Sequence, residues 1–288
     1  MESILAVAFG RQTELHSSQG PEDPLLKSAR TIFDAQRPDS GAPDIFTLIA
    51  LKSQLPFMSH LASFLLPKAL EDSFRFLYET SKALIKRRRE EEHSVKHNDF
   101  LQLMLDLENE NGSSQNATRS TVFSNNDLIT HCITFLIAGY ETTSSCLAYT
   151  SYLLAINPDV QEKLCQELDN YFKDHSISKG AYEATHDIEY LDMVVQESLR
   201  IFPPASLVFA AEEKEKRPQL CHLPFGWGPR NCIGMRFALM EIKMALISIL
   251  QKYKFVQASE TEVPLQTVLG GLTLQPKNGI YVKIQSRN

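Results

Sequence analysis

Between Ser124 and Ile156 the chain is apolar on most faces of a helical wheel, with Leu128, Ile129, Ile133, Phe135, Leu136, Ile137, Leu147, Leu153 and Leu154 distributed around it. Ser124 stands as an N-cap, and Asp127 three residues later favours the first turn. Asn157-Pro158 ends the segment and opens the next helix in cap-then-proline order. A helix between these signals is roughly 48 Å long. Apolar nearly all round, it must cross the interior of a domain rather than lie on its surface. The remainder of the 288 residues, 43 % of them hydrophobic, is enough to build a core around it.

The other elements follow from periodicity and punctuation, and no internal repeat is present. Glu71 to Glu92 puts Phe74, Leu77, Tyr78, Ser81, Leu84 and Ile85 on one helical face. It ends in "KRRREEE", where Lys86–Glu90, Arg87–Glu91 and Arg88–Glu92 are i, i+4 pairs on a solvated helix end. Asn109 to Ser120 reads as a polar loop; Asn111 and Asn116 fit the glycosylation pattern, and without a secretory signal they are expected to stay unmodified. Val160, Leu164, Leu168 and Phe172 define a further amphipathic helix, Ile188 to Phe202 another that Pro203-Pro204 stops, and Ile233 to Tyr253 a long one. The end, "LTLQPKNGIYVKI", alternates around Asn278-Gly279, a hairpin signal. The fold class is mainly α with a small C-terminal β-hairpin.

Bulk properties exclude some functions. A formal net charge of -6 disfavours nucleic acid, which is bound through an excess of Lys and Arg. Five cysteines, at 132, 146, 165, 221 and 232, form no CxxC pair and read as reduced thiols rather than a disulfide framework. The apolar stretch 45–67 is broken by Lys52, Pro56 and His60. It could lie in a membrane interface without crossing it, or form two buried helices meeting at Pro56.

The chemistry concentrates in "LPFGWGPRNCIGMRF", Leu223 to Phe237. Gly226, Gly228 and Gly234 allow backbone conformations and close approaches that side chains would block. The helix that follows presents its positive end to the sulfur of Cys232 and favours an anionic form. Such a sulfur suits nucleophilic catalysis or ligation of a soft or borderline metal. Read as a thiol alone, Cys232 could also be a nucleophile with His222 as base, part of a zinc corner with Cys221 and His222, or a buried structural cysteine.

The loop as a whole narrows these. Phe225, Gly228, Arg230, Cys232 and Gly234 match Phe-x-x-Gly-x-Arg-x-Cys-x-Gly, and the chain thereby resembles the cytochromes P450. The resemblance implies that Cys232 is the axial thiolate of a haem iron, that Arg230 pairs with a haem propionate and that Phe225 packs near the sulfur. "AGYETT", Ala138 to Thr143, resembles the family's oxygen-binding motif. There Gly139 weakens the helix, the Thr142 hydroxyl can reach the Ala138 carbonyl, and the Glu141 carboxylate lies beside it, an acid and an alcohol able to deliver protons to dioxygen. "ESLR" matches Glu-x-x-Arg, with Glu197 and Arg200 on one helix face.

Similarity extends along the whole chain to the microsomal branch, which includes drug- and steroid-oxidising enzymes and thromboxane synthase. It implies a monooxygenase acting on lipophilic substrates, whether lipid, steroid or xenobiotic, with dioxygen and NADPH-cytochrome P450 reductase as partners. It also implies the cytosolic face of the endoplasmic reticulum membrane as location. The alternative is an isomerase of prostaglandin endoperoxide; the C-terminal stretch leans that way, and Thr142 leans against it. A reading of another class is an inactive truncated product that holds no haem.

Against the family pattern, the chain reads as a single partial domain, 1–288. It begins at what resembles the family's helix E, without the anchor and sheet region. It also lacks an internal block near 206–210, since only 24 residues separate Arg200 from Phe225. Such a gap fits a skipped exon, a splice form or an incorrect gene model. The Arg that completes the family's triad with Glu197 and Arg200 has no counterpart, which leaves that pair either buried and incompletely bonded or exposed. Breaking a buried pair costs about 3 to 5 kcal/mol. The chain is therefore expected to hold haem poorly; full haem content after purification would overturn that.

Overall fold

The computed structural model describes residues 2–9, 23–37, 40, 67–91, 97–113, 124–174, 180–205, 223–270 and 273–287. They form two compact units, Met1–Tyr140 and Glu141–Asn288. The division falls inside the long helix. Among the described residues the architecture is mainly helical with four short strands, as the periodicities indicate.

The first unit contains α1 (Glu2–Phe9), α2 (Pro24–Asp34), α3 (Lys68–Glu90), α4 (Phe100–Ser113) and the first half of α5 (Asn125–Ile156). Helix α2 starts where Asp23 accepts the Leu25 amide at 2.7 Å and Pro24 supplies the first turn. The inward face of α3 is Leu70, Ser73, Leu77, Ser81, Ile85 and Arg88, close to the expected stripe, although Tyr78 is exposed. Helix α4 continues through Ser113, beyond the point where the sequence turns polar. Polar residues do not by themselves end a helix, and no proline stands there to end it. The Ser124 cap is formed in both directions: Ser124 Oγ accepts the Asp127 amide at 3.2 Å, and Asp127 accepts the Ser124 amide at 2.9 Å.

One residue of the basic run departs from the solvated reading. Lys86–Glu90 and Arg87–Glu91 pair at the surface, at 3.7 and 2.9 Å. Arg88 turns inward and donates twice to Asp99 at 2.8 Å, and its Nη2 also donates to the carbonyl of Phe9 at 2.9 Å. The side chains of Arg88 and Asp99 are 7 % and 6 % exposed. Asp99 further accepts the Gln102 amide at 2.9 Å, capping α4. Three helices thus meet on one buried ion pair.

The second unit contains the rest of α5, α6 (Pro158–Asp174), α7 (Ala181–Asp187), α8 (Glu189–Ile201), α9 (Met235–Leu250) and strands β1 (Tyr253–Gln257), β2 (Thr267–Gly270), β3 (Thr273–Pro276) and β4 (Val282–Ser286). Its core joins Leu154, Leu164, Leu168, Leu191, Val195, Ile242, Leu246, Ile247 and Leu250. Val160, expected on the inward face of α6, is exposed. Gln161 takes the inward place because its amide bonds the Phe255 backbone in both directions, Nε2 to the carbonyl at 2.8 Å and Oε1 from the amide at 2.7 Å. Two tyrosines of α5 tie down the C-terminal segment. Tyr149 donates to the carbonyl of Leu274 at 2.9 Å, and Tyr152 donates to the carbonyl of Glu262 at 3.0 Å while accepting the Leu265 amide at 3.1 Å.

The strands form two antiparallel pairs, β1 with β4 and β2 with β3. The hairpin is therefore β2–β3, and the expected one about Asn278-Gly279 is corrected. Gly279 does turn the chain at φ +83°, but the turn passes it from β3 to β4, in separate ladders. Lys277 is held by the Gln266 carbonyl at 2.8 Å, which prolongs the β2–β3 ladder and keeps the residues before the turn from pairing with those after it. The stretch 45–67 lies outside the described residues except for Pro67. Among described residues, no helix is long and apolar enough to cross a membrane.

Burial pushes the Asp99 carboxyl up, but hydrogen bonds from Arg88 and the Gln102 amide outweigh it and hold the group below its ordinary value of 3.8. With the folded value below the unfolded one, the pair's contribution is complete above 3.8 and is lost as pH falls through the lower folded value. Asp99→Ala is expected to lower stability by about 3 to 5 kcal/mol at neutral pH, because it strands Arg88. Urea titrations should show the gap to the parent chain narrowing towards pH 3; a gap independent of pH would refute this assignment.

Candidate functional site

The loop before α9 is built from two backbone constraints. Gly226 and Gly228 take φ of +76° and +83°, which L side chains resist. The chain can then fold back so that the Cys232 amide donates to the Phe225 carbonyl at 2.8 Å, with the Gly226 amide on Leu223 at 2.9 Å and the Asn231 amide on Gly228 at 3.1 Å. Gly228–Arg230 is a single 3-10 turn, and Gly234 caps α9. A Cβ at Gly234 would stand 3.9 Å from the Cys232 sulfur, so the glycine leaves that flank uncovered.

Within the loop, the Phe225 ring is half-buried against the unit's core, whereas Arg230 and Cys232 are exposed. The reading of Cys232 as a buried structural thiol is thereby excluded. Cys132, Cys146 and Cys165 are the buried ones, and burial pushes the first two up to about 11 and raises the third. Cys221 and His222, the other members of the base and zinc readings, lie outside the described residues. Helix α9 is fastened by Lys243, whose Nζ lies 2.7 Å from Asp192 and donates to the Thr185 carbonyl at 3.1 Å. The loop therefore projects from an anchored element.

The second motif occupies the middle of α5. Glu141 and Thr142 are half-buried, and Ala138 is exposed. Glu141 Oε1 lies 3.5 Å from the Ser145 hydroxyl, and the Ser144 hydroxyl bonds its carbonyl at 3.0 Å. Gly139 has a role the sequence did not show. A Cβ there would stand 2.8 Å from Cγ1 of Ile4 and 2.9 Å from its Cδ1, so α1 packs into the notch that the glycine leaves. Glycine costs this helix about 1 kcal/mol relative to alanine, and it leaves Ile4 room that a side chain would take. A mid-helix glycine was the visible signal, but nothing local pointed to Ile4.

Glu197 and Arg200 form a bidentate pair on α8, at 2.6 and 2.7 Å. The carboxylate raises the Arg200 pKa through these hydrogen bonds. The side chains are 54 % and 58 % exposed, so of the two alternatives left by the sequence the pair takes the exposed one. An exposed pair is worth only about 0.2 to 1 kcal/mol. Beside it runs an apolar groove of about 700 Å³ lined by Leu153, Val160, Tyr190, Met193 and Ile201, which includes neither Cys232 nor Thr142.

These motifs can be set against known proteins. A family profile described as Cytochrome P450 matches residues 42–210 and 208–283, across both units. The chain belongs to the cytochrome P450 family. It is similar to cytochrome P450 3A5 of Homo sapiens, 34 % identical over 333 aligned positions, and to cytochrome P450 3A12 of Canis lupus familiaris, 32 % identical over 333. Each alignment covers all of this chain and 63 % of the relative. A third, cytochrome P450 3A9 of Rattus norvegicus, is 32 % identical over 338 positions with the same coverage. Alignments longer than the 288 residues mean that these relatives carry residues with no counterpart here.

Cytochromes P450 are haem-thiolate proteins, and haem is the cofactor of this family. The residues present fit it: a soft sulfur, exposed, on a turn held by backbone hydrogen bonds and glycines, with no side chain on the Gly234 flank.

Iodoacetamide labelling mapped by mass spectrometry should modify Cys232 well ahead of Cys132, Cys146 and Cys165. Equal rates at the four would contradict the burial pattern.

Proposed function

We propose that the chain is a haem-thiolate monooxygenase of the microsomal cytochrome P450 type, acting on lipophilic substrates of the lipid, steroid or xenobiotic class. The observation that carries this reading is the exposed Cys232 sulfur on its glycine turn, within a chain the family matches on both sides. The proposal extends to dioxygen as co-substrate, to NADPH-cytochrome P450 reductase as electron donor and to the cytosolic face of the endoplasmic reticulum membrane. The matched stretches in both units support treating 1–288 as one partial cytochrome P450 domain.

When bound, haem supplies a redox-active iron whose thiolate ligand favours cleavage of the oxygen–oxygen bond. Cys232 would provide the thiolate, and the Phe225 carbonyl fixes the amide beside it. Arg230, exposed on its 3-10 turn, would pair with a propionate, while Gly228 and Gly234, without side chains, would let the group approach the loop's backbone. Reduction of dioxygen consumes protons as well as electrons. Glu141 and Thr142 would hold and pass those protons, with Ala138 bordering them on the same helix. The Ser145 hydroxyl near Glu141 Oε1 offers the carboxylate a partner while it does so.

A second reading, an endoperoxide isomerase like thromboxane synthase, is favoured by the C-terminal sequence from Val263 to Ile284. Thr142 supports the first reading, because an isomerisation within the substrate takes no protons from dioxygen reduction. The exposed Glu197–Arg200 pair and the unmatched family residues support an inactive product.

Haem stoichiometry and cofactor dependence separate the three. The haem-loaded fraction is expected to show the thiolate-type reduced carbon monoxide spectrum, to lose it in Cys232→Ser, and to oxidise lipophilic probes only with NADPH and reductase. Endoperoxide turnover without NADPH would establish the second reading, and a chain that takes up no haem would establish the third.

A further inference from the structure

Within the first unit, Ile4 is a rigid knob in a fixed socket. Its β-branch restricts it to few rotamers, and it is 9 % exposed. The atoms nearest to the site of a Gly139 Cβ are all its own: Cγ1 at 2.8 Å, Cδ1 at 2.9 Å and Cβ at 3.2 Å. The helix that carries it cannot readily slide. Leu5, Ala8 and Phe9 are buried, and the Phe9 carbonyl is held by Arg88 of the buried ion pair. Tyr140, next to Gly139, lies against Phe33 of α2 with ring centroids 6.1 Å apart.

Gly139 follows Ala138 directly and precedes Glu141 and Thr142 by two and three residues, so the socket shares a helical turn with the proposed proton-handling groups. We infer that Ile4 is a positioning residue for Glu141 and Thr142: seated at Gly139, it constrains the rotation of this turn of α5 and hence the placement of the carboxylate and the hydroxyl. The inference rests on the monooxygenase reading for its functional meaning. Its structural content is independent of haem, since the contact is between two protein helices.

The test uses the full chain with 13C-methyl threonine, the Thr142 resonance being assigned by its loss in Thr142→Val. Ile4→Ala and Gly139→Ala are each expected to shift that resonance. Ile4→Val, which keeps the branch, should leave it near the parent position, and the double variant Ile4→Ala/Gly139→Ala should return it part of the way. In haem-loaded protein, the single variants should divert a larger share of NADPH electrons to hydrogen peroxide while the thiolate spectrum stays unchanged. Shifted urea midpoints with an unmoved Thr142 resonance would reduce Ile4 to a packing residue and overturn the inference, as would electron partitioning unchanged in the single variants. Failure of the parent chain to take up haem would count against the monooxygenase reading instead, and the methyl shifts would still decide the placement.

Discussion

The hydrogen bond from the Cys232 amide to the Phe225 carbonyl determines how the C-terminal unit presents its sulfur. It closes only because Gly226 and Gly228 accept positive φ, so the loop's glycines and the site's chemistry are one requirement. The rest of the unit supplies the rigidity that such a turn cannot supply itself. Lys243 fastens α9 to α7 and α8, the Thr150 hydroxyl meets that of Ser198 at 2.8 Å between α5 and α8, and the half-buried Phe225 ring packs against the core. These contacts hold the helix behind the turn, so the exposed sulfur stands on a braced scaffold, which the proposed ligand role would require.

The long helix, the stop at Pro203-Pro204 and the cysteine loop were legible in the sequence because their signals are local: a cap, a proline, a fixed spacing of glycines. What escaped was decided by residues far apart in the chain. Arg88 looked like its solvated neighbours until Asp99 and the Phe9 carbonyl were brought to it, and Val160 lost the inward position to a glutamine whose partner is 94 residues away. Asn278-Gly279 signalled a turn correctly, but a turn does not name the strand that will accept its neighbours. At the site, residue identities could be read from motif spacing. The exposure of Cys232 and the occupancy of the Gly139 notch could not, because both depend on what packs alongside.

Glu197 and Arg200 show how an intact local pattern can stand without its setting. The two side chains meet with good geometry, yet they do so at the surface, where water screens them. Local sequence is sufficient to make the pair; a covering layer is needed to give it energetic weight. The chain matches its family on either side of residues 208–210, while the relatives carry additional residues that it lacks. A preserved motif and a preserved function are therefore separate propositions here, and the Cys232 loop has to be judged by its own geometry.

Gln161 has one further effect. Strand β1 pairs with β4 along one side, and in that ladder Phe255 faces Ile284. Both backbone groups of Phe255 are taken by the Gln161 side chain, which imitates a neighbouring strand for the length of one residue. A bare strand margin invites pairing with other chains. Here a single amide side chain closes it at its middle, so the small ladder has a built-in stop against growing into an intermolecular sheet.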